Sequence, residues 1–172
     1  MFDYKSKLAD SSRLLADILV KEIGDSPEKF DEMMNVTLLD IYPYSMRAAR
    51  ILALCSENNA KLMNKHIGKM ALALKSLKVE GVRRGFLKIL SDHPENIDEH
   101  SWGIITDLAF DWLGNPKEAI SIRYYCMELL LYLQHQYPEL KEEFVSILES
   151  IVRESSQGLK TKCRHTLKRL NK

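Results

Sequence analysis

The residues from Asp92 to His100 crowd two imidazoles (His93, His100) and four carboxylates (Asp92, Glu95, Asp98, Glu99) into nine positions. Those are ligand types for zinc or another divalent ion. The stretch contains no cysteine and no regular ligand spacing, and Pro94 disfavours helix at His93. It therefore reads as a solvated inter-helix loop whose acids favour the N-terminus of the helix that follows. No metal and no cofactor are expected there.

Other chemistry-bearing residues are scattered. His66, His135 and His165 are isolated in sequence, with no evident catalytic partner. Cys55, Cys126 and Cys163 are widely spaced and form no CxxC pair, so core thiols in a reducing cytosol are expected. The chain has no GxGxxG, P-loop, GxSxG or HExxH motif. Its seven glycines never cluster, which argues against a phosphate-cradling loop. A non-enzymatic protein is the expectation.

Composition narrows the class further. A 45% apolar share supports a substantial core, and the 172 residues suit one domain better than two. The formal net charge is only +1, whereas a dedicated nucleic-acid binder is usually clearly basic. Residues 1–12 lack the apolar core of a signal peptide, and Asp17 interrupts the apolar stretch after them. No run approaches the ~20 apolar residues that span a bilayer. A soluble cytoplasmic protein without a membrane partner is expected.

The elements that must position these residues are helical nearly throughout. Leu14, Leu15, Ile18 and Leu19 form one stripe that stops before Gly24. Ser26-Pro27 opens a second helix, with serine as cap and proline in the first turn. Phe30, Met33, Met34, Leu38 and Ile41 continue it with helical spacing until Pro43, and a third helix runs to about Glu57. Asn58-Asn59 make a turn before the stripe Leu62, Ile67, Met70, Ala71 and Leu74. Further helices are expected over 79–91, 101–113, Pro116 to Gln136, Pro138 to about Ser155, and beyond Gln157-Gly158. That makes nine helices with short connections, so neighbours run antiparallel. One domain spans 1–172, with a capping helix in 1–25 and about four helix pairs in 26–172.

A short pattern recurs along these helices. Met46-Arg47, Val82-Arg83, Ile122-Arg123 and Leu159-Lys160 each join an apolar residue to a cation, and a leucine follows each cation by seven residues: Leu54, Leu90, Leu130 and Leu167. The cations lie 36, 40 and 37 residues apart (83−47, 123−83, 160−123). A period of that length marks a stacked-helix solenoid. Ser45, Gly81, Ser121 and Gly158 precede the pairs, small residues that suit a helix start or a close approach. Counting from them, positions 1, 5, 8 and 9 share a face turned inward, so all four leucines are expected to be buried.

The apolar–Arg–x–x–small–x–x–x–Leu spacing resembles the HEAT repeat. Ile122-Arg123 with Cys126 and Leu130, and Leu159-Lys160 with Cys163 and Leu167, meet it fully. Phe86 and Arg50 replace the small residue in the other two units, so the first unit is the least regular. The resemblance covers about residues 26–170. It implies an all-α, right-handed superhelix of antiparallel pairs, with first helices convex and second helices concave. It also implies that Arg47, Arg83, Arg123 and Lys160 bond carbonyls or acids of adjoining units.

Positions 3, 4 and 7 of the second helices then form the expected outward surface. They are Ala48, Ala49 and Leu52; Arg84, Gly85 and Lys88; Tyr124, Tyr125 and Glu128; Thr161, Lys162 and His165. Basic and aromatic groups alternate over the last three units, and such side chains anchor interfaces well. The candidate binding residues are Arg84, Lys88, Tyr124, Tyr125, Lys162 and His165, and the expected partner is a protein or peptide, an acidic segment included. The alternative is a nucleic-acid-binding or DNA-alkylation-repair-like protein using the basic C-terminal half. Similar glycosylases place tryptophans and an aspartate beside a basic groove, which draws attention to Trp102, Asp107, Asp111 and Trp112. These lie on an expected convex helix, where packing tryptophans and solvated acids are the simpler reading. After Glu154 no acid remains, while Lys160, Lys162, Arg164, Lys168, Arg169 and Lys172 follow. That helix is expected to cap the stack with its cations in water, or to dock an acidic partner or a phosphate backbone.

Overall fold

The structure, a computed structural model, describes residues 3–154 and 157–170. All regular elements among them are helical. The α-helices are α1 (Tyr4–Lys7), α2 (Arg13–Ile23), α3 (Pro27–Leu38), α4 (Tyr44–Asn58), α5 (Ile67–Leu74), α6 (Glu80–Asp92), α7 (Glu99–Gly114), α8 (Ile120–Gln136), α9 (Lys141–Glu154) and α10 (Gln157–Leu170). The described residues thus hold ten α-helices rather than nine, the extra one being the single turn α1. None is long and apolar enough to cross a membrane.

Local hydrogen bonding explains where the helices begin. Ser12 accepts the Leu15 N–H at 3.2 Å, and Ser26 accepts that of Lys29 at 3.3 Å with Pro27 at the first helical position. The helix expected from Pro116 starts only at Ile120, because Asn115 Oδ1 takes the Lys117 N–H at 3.0 Å and its carbonyl takes the Glu118 N–H. That side-chain turn competes with helix over 116–119. Asn59 does the same for Lys61, so Leu62 lies in a 3₁₀ turn and not in α5. Gln157-Gly158, expected to separate two helices, form the first turn of α10. The preceding residues 155–156 are outside the described set.

The chain divides into two compact units, Met1–Ser101 and Trp102–Lys172, with the boundary in the first turns of α7. In the first, α3 and α4 pack as an antiparallel pair across a short turn, α2 also packs on α4, and α6 packs closely on α4. Glycine permits that last approach. A Cβ on Gly81 would lie 2.2 Å from Met46 Cγ, and one on Gly85 would lie 2.8 Å from Ala49 Cβ. Ser45, the small residue opening the first repeat, is buried. Its hydroxyl donates to the Val36 carbonyl at 2.7 Å and accepts the Ile41 N–H at 3.0 Å, tying the two helix ends.

The turns are joined as well. Asp40 sits in the left-handed region at φ 54, which aspartate tolerates better than most residues. Its carboxylate accepts the N–H groups of Lys78 (2.7 Å) and Val79 (3.0 Å) in the connection before α6. Arg47 donates to the carbonyls of Leu8 and Ala9, both at 2.7 Å, and Arg50 donates to that of Ser11 at 2.8 Å. These two arginines of α4 therefore strap residues 8–11 to that helix.

Two expectations about faces need correction here. Ala48, Ala49 and Leu52 of α4, and Gly85 of α6, are buried, not outward, because α2, α3 and α6 all pack on α4. Leu90 and Leu130 are core residues, but Leu54 and Leu167 are only half-buried.

In the second unit, α9 and α10 form an antiparallel pair, and α10 also packs on α8. Thr166 Oγ1 lies 3.2 Å from Met127 Sδ at that contact. Arg123, the repeat's cation, is 5% exposed, and its Nε–H donates to the Leu113 carbonyl near the end of α7 at 2.9 Å. Burial pulls this guanidinium below the usual arginine range. Lys141 Nζ donates to the Leu170 carbonyl at 2.6 Å, covering the end of α10.

Candidate functional site

The acidic loop has structural employment. Asp98 Oδ1 accepts the Ser101 N–H at 2.9 Å, and its Oδ2 accepts the Ser101 hydroxyl at 2.7 Å, which starts α7. Asp92 pairs with Lys88 at 2.6 Å, one turn back on α6. His93 Nδ1 lies 3.9 Å from Glu95, beyond hydrogen-bond range. Among the described residues no group of three or more His, Cys, Asp or Glu side chains is placed to hold a metal ion.

The three cysteines are buried and none is in a disulfide with another. Burial pushes the Cys55 thiol up to about 12 and the Cys163 thiol up to about 11, so both stay protonated and poorly nucleophilic at neutral pH. Of the tryptophan–aspartate set on α7, Trp102 is 7% exposed and stacks on Tyr132, with centroids 5.9 Å apart and planes at 10°. A ring so covered is not offered to an extruded base. Asp107 and Asp111 face solvent, and Trp112 is half-buried.

The six candidate binding residues divide between the units. Arg84 and Lys88 belong to α6 in the first. Arg84 is exposed, whereas Lys88 is held by Glu57 on α4 (2.9 Å) and by Asp92 (2.6 Å). Burial alone would lower the Lys88 ammonium, but the two carboxylates overcome it and hold the group well above the usual lysine range.

Tyr124, Tyr125, Lys162 and His165 belong to the second unit, and three of them meet. The Tyr124 ring stands edge-on to Tyr125 at 5.3 Å and 87°. Lys162 Nζ, from α10, lies 4.7 Å from the centre of the Tyr124 ring and is ion-paired with Glu128 of α8. Here too burial works against the ammonium, while Glu128 and Tyr124 outweigh it and raise its pKa. Tyr124 remains 37% exposed and Tyr125 is half-buried. His165 is exposed further along α10.

Glu128 is the member of this cluster that the pattern of cations and aromatics did not single out. Its signal was its place on α8, one turn beyond Tyr124. The exposed cations Arg164, Lys168 and Arg169 were signalled only by the absence of acids after Glu154.

Pairs of antiparallel helices with a cation-bearing second member, joined by short turns, define a helical-repeat protein. The HEAT repeat domain model matches residues 4–170, and the chain belongs to the HEAT repeat family. No curated protein and no solved structure matches it. The family makes it a helical-repeat scaffold.

Proposed function

We propose that the protein is a non-enzymatic scaffold that binds a protein or peptide segment on the concave face of its repeat stack, with Tyr124 as the central anchor. The preorganised Tyr124 ring carries this reading. It is partly exposed, yet braced by Tyr125 on one side and by the Lys162 ammonium on its face. A cation over a ring contributes about 0.5–1 kcal/mol at an exposed site. An aromatic side chain already held still loses little rotamer freedom when a partner covers it. The protonated, buried thiols of Cys55 and Cys163, and the structural bonds that occupy Asp92 and Asp98, support a role without catalysis. Three cysteines outside any disulfide fit a reducing compartment, and a cytoplasmic location belongs to the same proposal.

Affinity capture from the native cell with wild type and Tyr124→Ala, read by mass spectrometry, tests it. Tyr125 stays in place because it is half-buried, and equal melting temperatures would show that the fold survives. One set of proteins retained by wild type and lost from the variant is expected. Identical recovery by both would overturn the anchor.

A further inference from the structure

We propose that the outward face of α10 is a docking site for a carboxylate-rich peptide segment, held by Arg164, His165, Lys168 and Arg169. This rests on the scaffold reading and adds the chemistry of the partner and a separate surface for it. At 100° per residue, Thr161, Arg164, His165 and Lys168 fall within an arc of about 100°, with Arg169 just beyond. All five are exposed. Leu159, Cys163, Thr166 and Leu170 occupy the opposite side and are buried. Thr161, Arg164, His165, Leu167 and Lys168 border an open depression of about 270 Å³.

Among the described residues nothing compensates the charge on this face. Lys162 is neutralised by Glu128, but among the described residues the side chains of Arg164, His165, Lys168 and Arg169 make no ion pair or hydrogen bond. Elsewhere the chain sets a partner one turn away, as in Arg13–Asp17 and Lys88–Asp92. On α10 the same spacing joins Arg164 to Lys168 and His165 to Arg169. Like charges at that spacing destabilise a helix by about 0.2–0.5 kcal/mol per pair when both are charged. The helix dipole favours Lys168 and Arg169 in the last turn, but its effect fades before Arg164 and His165. A complementary anion accounts for all four.

Spacing selects the anion. Arg164 and Lys168 are displaced by ~6 Å along the axis, at 1.5 Å per residue. Alternate side chains of an extended peptide lie about 6.6 Å apart on one side, so successive acidic residues meet successive cations. Single-stranded nucleic acid also needs flat aromatic rings on which its bases stack. This face carries His165 and no tyrosine, tryptophan or phenylalanine. Duplex binders typically neutralise roughly 6–10 phosphates, more than these few side chains can reach.

Fluorescence anisotropy with a labelled ten-residue Asp/Glu-rich peptide tests the site, alongside its Asn/Gln counterpart and a ten-nucleotide oligothymidylate. Wild type should bind the acidic peptide saturably at low salt, and more weakly as salt screens the contact. Arg164→Gln/Lys168→Gln should weaken it by roughly tenfold or more. Lys61→Gln/Lys117→Gln, which removes the same charge from other exposed positions, should not. If the first variant melts early, Lys168→Gln/Arg169→Gln at the helix end gives the same readout. The proposal is overturned by no saturable peptide binding, by equal weakening in the control, by tighter oligothymidylate binding, or by low-salt self-association that occupies the face. A native partner lost on Tyr124→Ala but kept by the α10 variant would overturn this inference and leave the scaffold reading standing. Acidic-peptide binding with no native capture would do the reverse.

Discussion

Replacing Gly85 with alanine should be harmful, although alanine is normally the better residue inside a helix. The added methyl would lie 2.8 Å from Ala49 Cβ and 3.4 Å from the Ala49 carbonyl carbon and oxygen, none of which can rotate away. Ordinary carbon contacts sit at ~3.5–4.0 Å, so α4 and α6 must separate. Overpacking of this kind costs about 1–3 kcal/mol. The gain in helix propensity returns about 1, leaving a net loss of roughly 0–2 kcal/mol. Ala49→Gly alone should cost about 2 kcal/mol, from propensity and one buried methyl. Together the two changes move one methyl across the same contact, and the double variant should come within ~1 kcal/mol of wild type. Additive singles would instead lose roughly 2–4 kcal/mol, so a coupling of about 2 kcal/mol should appear in urea midpoints at unchanged slope. Gly81→Ala should cost less despite its closer clash, because Met46 Cγ and Sδ can rotate away and leave only Met46 Cβ at 3.0 Å. If Gly85→Ala stabilises by ~1 kcal/mol and the pair is additive, the close approach of α4 and α6 is wrong.

Three further outcomes follow from burial, capping and charge. Leu90→Ala and Leu130→Ala should each cost about 2–5 kcal/mol in urea titration, and Leu54→Ala and Leu167→Ala clearly less, since only the first pair is enclosed. Asp98→Ala should cost about 1 kcal/mol and speed amide exchange in the first turn of α7, through loss of the cap on Ser101. His66, 2.7 Å from Asp31, has its pKa lowered chiefly by burial, so the unfolded chain takes up its proton first. Stability should therefore decline as pH falls below ~6.5, and His66→Gln should flatten that segment; a wild type that gains stability there would refute the assignment. Asp31 is held low mainly by its bond to Lys65, so its contribution is lost further down, from the ordinary carboxylate range to below it.

How far the fold could be read from sequence varies with the cause of each feature. Helices bounded by local signals were legible: Ser26-Pro27 and Gly24 sit where capping chemistry requires. Pro116 misled, because Asn115 captures the next amide and holds the chain in a turn for four more residues. The inward face was read correctly at Leu90 and Leu130. It failed at Ala48, Ala49 and Leu52 because helical periodicity describes one buried side, and α4 has neighbours on more than one. The small size of Ala48 and Ala49 was the available sign of that crowding.

The binding surface was less legible because charge in a sequence does not reveal its partner. Lys88 and Lys162 stood out as free cations by position, yet one lies between Glu57 and Asp92 and the other on Glu128. The carboxylates come from neighbouring helices or from one turn away, and only packing brings them close enough to matter. Arg164 and Lys168 showed the opposite behaviour. They are set in the acid-free stretch after Glu154, so no local carboxylate was available to begin with, and folding supplied none among the described residues. A cation that remains unpaired after folding keeps its full attraction for an external anion, whereas Lys162 would first have to leave Glu128. The α10 face is therefore the stronger electrostatic candidate, and Tyr124 the stronger source of buried area. The two should respond differently to salt: capture through α10 should weaken as ions are added, while the contribution of the Tyr124 ring should largely persist.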